Sequence, residues 1–281
     1  MRAPIAYCQG VLPHERIEAN ALLPTRPRAV DGAMTRPDCP DPDAPEPGSA
    51  QWWLERAATE NRRRPRDGGL STTKIVTAAV DLLREDGVDA LTVRRVAERL
   101  DTSSASLYRH IAGRDELIAL IADHVMGDIR LVRTGRGWRA DAEALMHETR
   151  RVILSQPLPP AVGRGTAGYG PNTLRLVDAV LELFLEAGST PEQAAFNTTT
   201  MIQFVAGAVD IQRSVAGRGP LGASRSDGFA RLLASLPAER YIALRTAGAA
   251  YVAAPTDDVF AHGVAMFLDG VASRLPAPDA E

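Results

Sequence analysis

Residues 103–111, Ser-Ser-Ala-Ser-Leu-Tyr-Arg-His-Ile, bring hydroxyls, a phenol, a guanidinium and an imidazole into one short run that holds no carboxylate. Wound as a helix, the run turns Leu107 and Ile111 to one side and leaves Ala105, Ser106, Tyr108 and Arg109 away from Leu107. Small residues there allow close approach, and an arginine can take a phosphate or the edge of a guanine. The chemistry on offer is hydrogen bonding to a polyanion, and a helix of this size fits the major groove of duplex DNA.

That face has to be positioned by its neighbours. Val93, Val96, Ala97 and Leu100 recur at i, i+3, i+4 and i+7, which predicts a helix with one apolar side and Thr92 as its N-cap. Leu100-Asp101-Thr102 breaks the pattern, and Ser103 can cap the next helix. The two make a helix-turn-helix whose second helix is the reader. Upstream, residues 71–86 form a helix with a broad stripe of Ile75, Val76, Ala79, Val80, Leu82 and Leu83, stopped by Gly87. Ser71, Thr72 and Lys74 at its start can donate to phosphate. Downstream, a connecting helix runs from Gly113 to about Val132 with Ile118, Ile121, Val125 and Val132 inward; Asp115 and Glu116 suit its positive end, and Arg114 can reach DNA.

The run LTVRRVAERLDTSSASLYRHIAGRDEL resembles the DNA-binding signature of the tetracycline-repressor (TetR) family of one-component bacterial transcription regulators. The likeness covers about 47 residues, from Leu70 to Glu116, and rests on Leu-Thr, the Val-Ala pair, Ser at the reading-helix cap, Leu-Tyr-Arg-His and Glu-Leu. It departs at Asp101, where the family usually has Gly; this turn residue needs a left-handed backbone, which Asp tolerates better than most. The resemblance implies double-stranded operator DNA as partner, faced by Thr72, Lys74, Thr92, Arg94, Ser104, Ala105, Ser106, Tyr108, Arg109, His110 and Arg114. Trp138-Arg139, Gly170-Pro171-Asn172 and Phe260…Gly263…Leu268-Asp269-Gly270 are similar to the family's effector domain. In that family a long penultimate-type helix and the final helix build a four-helix dimer bundle.

Net charge over the 281 residues is −3, which by itself does not mark a nucleic-acid binder. Between Asn61 and Arg114, however, 11 Arg/Lys face 7 Asp/Glu, so a +4 module sits on a body of −7. Both cysteines, Cys8 and Cys39, fall in a proline-rich lead, which excludes a disulfide framework or zinc site as the organising feature. The five histidines have no i, i+4 partner, no nucleophile–base arrangement can be assembled, and no cofactor, catalytic residue or metal is expected. With no apolar run near the roughly 18 residues that span a bilayer, and no signal pattern, a cytoplasmic chain is expected.

Residues 1–50 read as a disordered extension and 51–69 as an arm, with Trp52 and Trp53 and then Arg62-Arg63-Arg64-Pro65-Arg66. The arm either lies on phosphates or tethers the module, its tryptophans packed behind. Residues 70–116 form the DNA-binding domain, 117–276 the larger helical domain and 277–281 a tail. Within the larger domain, helices are expected from Trp138 to the prolines at 157–160, over 171–187 (apolar nearly all round and therefore largely buried), from a Thr190…Gln193 capping box to about Val215, and from a Thr256 cap onward. A Gly/Ser-rich loop is expected over 217–226, with shorter helical pieces at 229–236 and 239–252. Gly163…Gly168 satisfies GxGxxG but lacks the strand and helix a phosphate cradle needs.

Asn197, Thr198, Thr199, Thr200 and Gln203 are unusual in a helix that must be largely buried. They either bond to neighbouring helices or wall a pocket, with Met201 and Phe204 supplying apolar area. The candidate ligand set is His124, Met126, His147, Phe184, Asn197, Met201, Gln203 and Phe204. The dimer seam is expected on the last helix at Val264, Phe267, Leu268 and Val271, with Gly263 and Gly270 allowing close approach. The sequence thus predicts an all-α chain: a three-helix helix-turn-helix domain plus a larger effector-binding and dimerisation domain. The expected function is a homodimeric repressor released from a palindromic operator by a small-molecule effector; the alternative is a constitutive or protein-controlled regulator.

Overall fold

A computed structural model describes residues 44–62, 69–131, 133–156, 168–216, 222–237 and 239–276. Among them the regular structure is entirely helical: eleven α-helices and one 3-10 turn. Residues 1–43 of the proline-rich lead, the run Arg63-Arg64-Pro65-Arg66 and most of the GxGxxG stretch lie outside the described residues.

The first helix, α1 (Ala50–Arg62), covers the expected Trp-containing piece, and both tryptophans pack against the core. The DNA-binding unit follows. In α2 (Thr72–Asp86) the Ser71 hydroxyl accepts from Lys74 N at 3.2 Å, the apolar stripe is buried, and Gly87 at φ 79° ends the helix. A 3-10 turn (Val88–Ala90) leads to α3 (Val93–Arg99), where Thr92 caps Arg95 N at 3.2 Å. The turn then passes through Asp101 at φ 48°, the left-handed conformation expected of it. The reading helix is shorter than its pattern suggests: α4 spans Ser104–Leu107, capped by Ser103, and continues only as a tightened turn in which Ile111 N bonds Leu107 O at 3.0 Å. Leu107 and Ile111 are both fully buried.

Helix α5 (Arg114–Gly127) connects this unit to the rest of the chain. It was expected to reach about Val132, but stops at Gly127. Arg175 supplies the reason: its Nη2 donates to the carbonyls of Met126, Gly127 and Ile129 at 3.4, 3.3 and 3.2 Å, satisfying groups another turn would have covered. Ile129 then enters the core, while Val132 lies outside the described residues.

The larger domain is built from α6 (Trp138–Ser155), α7 (Pro171–Glu186), α8 (Pro191–Ala216) and α11 (Thr256–Ala272), packed around Met146, Phe184 and Leu268. The capping box before α8 is reciprocal, with Thr190 N to Gln193 Oε1 at 2.9 Å and Gln193 N to Thr190 Oγ1 at 3.3 Å. Two expectations change. Helix α7 buries one side only, because α5, α6 and α8 pack on that side, and Leu174 and Leu185 stay exposed. Helix α9 (Gly222–Ser235) begins inside the stretch read as a loop; it packs on α10 (Ile242–Ala253), where Gly248 lets Leu233 and Phe229 approach, and such packing overrides weak helix propensity.

One buried carboxylate joins the two parts. Asp123 of α5 accepts from Asn172 N (3.3 Å), Asn172 Nδ2 (3.1 Å), Thr173 N (2.9 Å) and Thr173 Oγ1 (3.1 Å), so it caps the start of α7 from outside that helix. The fit requires Gly170, where a Cβ would sit 2.1 Å from the Asp123 carboxylate. A second tie runs from α2: Arg84 Nε donates to Gln156 Oε1 at 3.1 Å, and Arg213 of α8 donates to the carbonyls of Ile153 and Gln156 at the end of α6.

Replacing Asp123 by Ala should cost about 1–3 kcal/mol by orphaning those donors. Gly170→Ala should cost more, because the carboxylate itself must move; urea denaturation measures both. Glu148 gives a pH signature. Hydrogen bonds from Arg151 and Arg130 hold its carboxyl at about 2, below the ordinary 4.5. Its contribution is therefore complete above pH 4.5 and lost as the pH falls toward 2. Glu148→Gln should flatten the decline of Tm across that window.

Candidate nucleic-acid interface and effector core

Within the DNA-binding unit most cations are already engaged. Arg95 pairs with Asp86 at 2.7 Å, Arg99 with Glu85 at 2.6 Å, and Arg94 with Glu98 at 2.8 Å. Arg94 stays exposed, and the Glu98 hydrogen bond raises its pKa. Arg109 differs: among the described residues no carboxylate pairs with it, and its Nη2 donates to Ser106 Oγ at 3.1 Å. Ser106 in turn meets Ser103 Oγ at 3.0 Å, so the hydroxyls brace the helix and steady the guanidinium. Tyr108 and Ala105 are exposed beside it, and Ser104 and His110 are half-buried. Ala105, Tyr108 and Arg109 are therefore exposed together beyond the Ser103 cap.

Other candidates for DNA contact have internal duties. The Thr72 hydroxyl accepts from Arg56 Nη2 at 2.9 Å, and Thr92 is committed to its cap. Arg114 Nε donates to Leu91 O at 3.2 Å, bracing the start of α5 against the entrance to α3. Lys74 Nζ donates to Gly69 O at 3.0 Å.

The eight ligand candidates do not share one space. Phe184 and Met201 are buried in the packed core. Gln203 and Phe204 line a cleft of about 380 Å³ between α6, α8 and α11, where Phe204 stacks on Phe260 at 5.4 Å and Arg150 lies 4.6 Å over the Phe260 ring. Asn197 borders a separate cleft of about 200 Å³ with Ser189, Gln193 and Arg274. His147 is exposed, edge-on to Phe260 at 5.2 Å, while His124 and Met126 are half-buried on α5. Helix geometry explains the scatter: positions two apart, such as Met201 and Gln203, point to nearly opposite sides. Among the described residues, four polar atoms in this region are buried without a partner: Thr149 Oγ1, Arg150 Nε, Ser189 Oγ and Thr198 Oγ1.

The residues expected at a dimer seam pack into the chain's own core. Val264, Leu268 and Val271 are only 1%, 1% and 3% exposed within the single chain, and Phe267 is half-buried against the same core. A spacing of i, i+4, i+7 on an amphipathic helix marks the side its own core claims first. Gly263 likewise admits this chain's own Phe204, whose ring would lie 2.6 Å from an added Cβ. The outer faces carry Phe196 and Ile211 on α8 and Val259 and Met266 on α11, all exposed.

Comparison with known proteins decides the affiliation. The model described as "Tetracyclin repressor-like, C-terminal domain" matches residues 133–275, about half of the chain, and "Bacterial regulatory proteins, tetR family" matches residues 75–121. The chain belongs to the TetR family. An HTH-type transcriptional regulator of Saccharopolyspora erythraea is 39% identical over 140 residues, 50% of this chain and 57% of that protein. The chain thus spans little more than half the length of that relative. The tetracycline repressor protein class A from transposon 1721 of Escherichia coli is 28% identical over 208 residues, 73% of this chain and 92% of the repressor. The TetR family protein ActR of Streptomyces coelicolor, solved in complex with actinorhodin, superposes with a TM-score of 0.67 at 27% identity, covering 73% of this chain and 97% of ActR.

Sequence reasoning missed the residues that tie this TetR-family chain together: Arg56, Asp123, Gln156, Arg175 and Arg213. One signal was available. Glu116 and Asp123 stand seven apart, on one side of a helix whose residues 117–122 are all apolar, and buried carboxylates at that spacing demand partners from elsewhere in the fold.

Arg109→Ala should cost about 1–3 kcal/mol of binding to a preferred duplex and much less on scrambled DNA, if the guanidinium reads a base. A fluorescence-anisotropy panel separates the two. At the turn, Asp101→Ala should lose about 1 kcal/mol of stability through left-handed strain, whereas Asp101→Gly should not.

Proposed function

We propose that the chain is a homodimeric transcriptional repressor that holds a palindromic operator and is released from it by a small molecule. The observation that carries this reading is the carboxylate-free face of Ala105, Tyr108 and Arg109 standing at the end of α5, whose middle is bonded to the start of α7 through Asp123. A helix fastened to both parts passes a displacement of one to the other.

A single reading helix contacts only a few base pairs, so specificity requires two, about 34–36 Å apart. The exposed stripe of Phe196, Ile211, Val259 and Met266 suits a second copy, consistent with the four-helix bundle the family resemblance implies. A partner there closes the Phe204–Phe260 cleft from outside. The effector lodges between α6 and α8 behind that cleft, where Thr149, Thr198 and Arg150 Nε await hydrogen-bond partners; each unmet group costs about 1–3 kcal/mol, which a ligand recovers. ActR, solved with actinorhodin, and the class A tetracycline repressor are relatives whose names carry a ligand. The rival reading is a constitutive regulator, favoured by the tight packing of Met146, Phe184 and Met201.

The test begins with selection of duplexes from a random pool by the full-length protein, which should yield an inverted repeat. Ile211→Glu with Val259→Glu should give monomers in the ultracentrifuge and abolish binding to the selected duplex; wild-type monomers bound to it would defeat the dimer. Among compounds that raise the Tm, an effector should weaken operator binding by about 5–150-fold, and operator should weaken effector binding by the same factor. Stabilising compounds that leave operator affinity unchanged would favour the constitutive reading.

A further inference from the structure

Helix α1 lies outside both family matches, which begin at residue 75 and end at residue 275. Its Arg56 is nonetheless one of the most committed side chains of the DNA-binding unit. The Nη1 atom donates to Glu116 Oε1 and Nη2 to Thr72 Oγ1 at 2.9 Å, Nη2 also forms an ion pair with Glu60 Oε1 at 3.0 Å, and the guanidinium lies 5.4 Å from the Trp52 ring. The Arg56 and Glu116 side chains are only 10% and 8% exposed, so Arg56 is not available to a phosphate.

The far oxygen of Glu116 shows what the pair does. Oε2 accepts from Ala112 N at 2.5 Å, in the link between Ile111, which closes the reading turn, and Gly113, which opens α5. Arg56 therefore orients the carboxylate that pins the turn carrying Tyr108 and Arg109. A planar fork spanning Glu116, Thr72 and Glu60 fixes that orientation in a way a point charge cannot. On one side α1 borders Tyr108, Arg109 and His110 across a cleft of about 280 Å³. On another, Trp53, Leu54 and Ala57 border an apolar cleft of about 410 Å³ with Tyr169, Pro171 and Leu174 at the start of α7, the end that Asp123 caps.

We propose that Arg56 is a positioning residue for DNA reading: through Glu116 it sets the attitude of the Tyr108–Arg109 face, and α1 relates that setting to the start of α7. The inference rests on the sequence-specific binding proposed above. It assigns to α1 control over the discrimination between DNA sequences, beyond any contribution to stability.

The experiment compares affinities of the full-length protein for its selected duplex and for a scrambled duplex of equal length, with Tm recorded alongside. Arg56→Met combined with Glu116→Met removes both charges, so no buried carboxylate is left alone. The expected result is a tenfold or larger loss on the selected duplex, with scrambled-duplex affinity held within twofold. Arg56→Lys, which keeps the charge but not the fork, should restore Tm more fully than it restores the affinity ratio. A second variant avoids the buried pair: Leu54→Glu with Leu174→Glu, at positions 67% and 50% exposed, sets two carboxylates across the apolar cleft and should lower the ratio at least threefold. If the first variant does not fold, the second decides. A lowered Tm with the wild-type ratio retained in every folded variant makes α1 a brace only and overturns the inference alone. A wild-type protein with no preference between duplexes overturns it together with the functional reading beneath it.

Discussion

Burying a carboxylate on a largely apolar helix is expensive unless every oxygen finds donors. Helix α5 does so twice, at Glu116 and Asp123, and the solution to each shapes the molecule. Asp123 takes four hydrogen bonds from Asn172 and Thr173, which sets where α7 begins, and Gly170 must lack a side chain for the two to meet. Glu116 takes Arg56 and the Ala112 amide, which sets where the reading turn ends. Because both sit on one helix, the turn after α4 and the core share a single frame.

Charge in the DNA-binding unit is organised by the same economy of partners. The carboxylates at the end of α2 hold Arg95 and Arg99, and Glu98 holds Arg94. Those guanidiniums are thereby engaged on the unit's flank, whereas Arg109 meets a hydroxyl and, among the described residues, no carboxylate. Such an arrangement favours discrimination over bulk attraction, since non-specific affinity grows with the number of phosphates neutralised.

The larger domain separates two kinds of apolar surface that a sequence pattern merges. On α11 the regular stripe belongs to the chain's own core, and the exposed Val259 and Met266 lie off it. On α8, Met201 and Val205 turn inward while Ile211 turns out beside Gly207 along the Phe204–Phe260 cleft. Packing density explains why the inner positions are spoken for: interior side chains fill space to nearly crystalline density, so those positions cannot also face a second copy of the chain.

Local signals carried much of this protein by themselves. The caps at Ser71, Thr92, Ser103 and Thr190, the stop at Gly87 and the left-handed Asp101 all rest on interactions between residues a few positions apart, and each stands where its sequence places it. The helix-turn-helix followed from these together with its apolar spacing, and the family from the resemblance carried by residues 70–116. Decisions that involve partners far apart in the chain were not legible. Helix α5 ends at Gly127, where Arg175 arrives from another helix, α9 packs on α10 through Phe229 and Leu233, and the Thr72 hydroxyl is engaged by Arg56. The side of α11 left free was decided likewise by what had already packed on the other side. A periodic pattern states that a face is apolar; only the tertiary structure decides what that face touches, because burial is settled by all the neighbours at once.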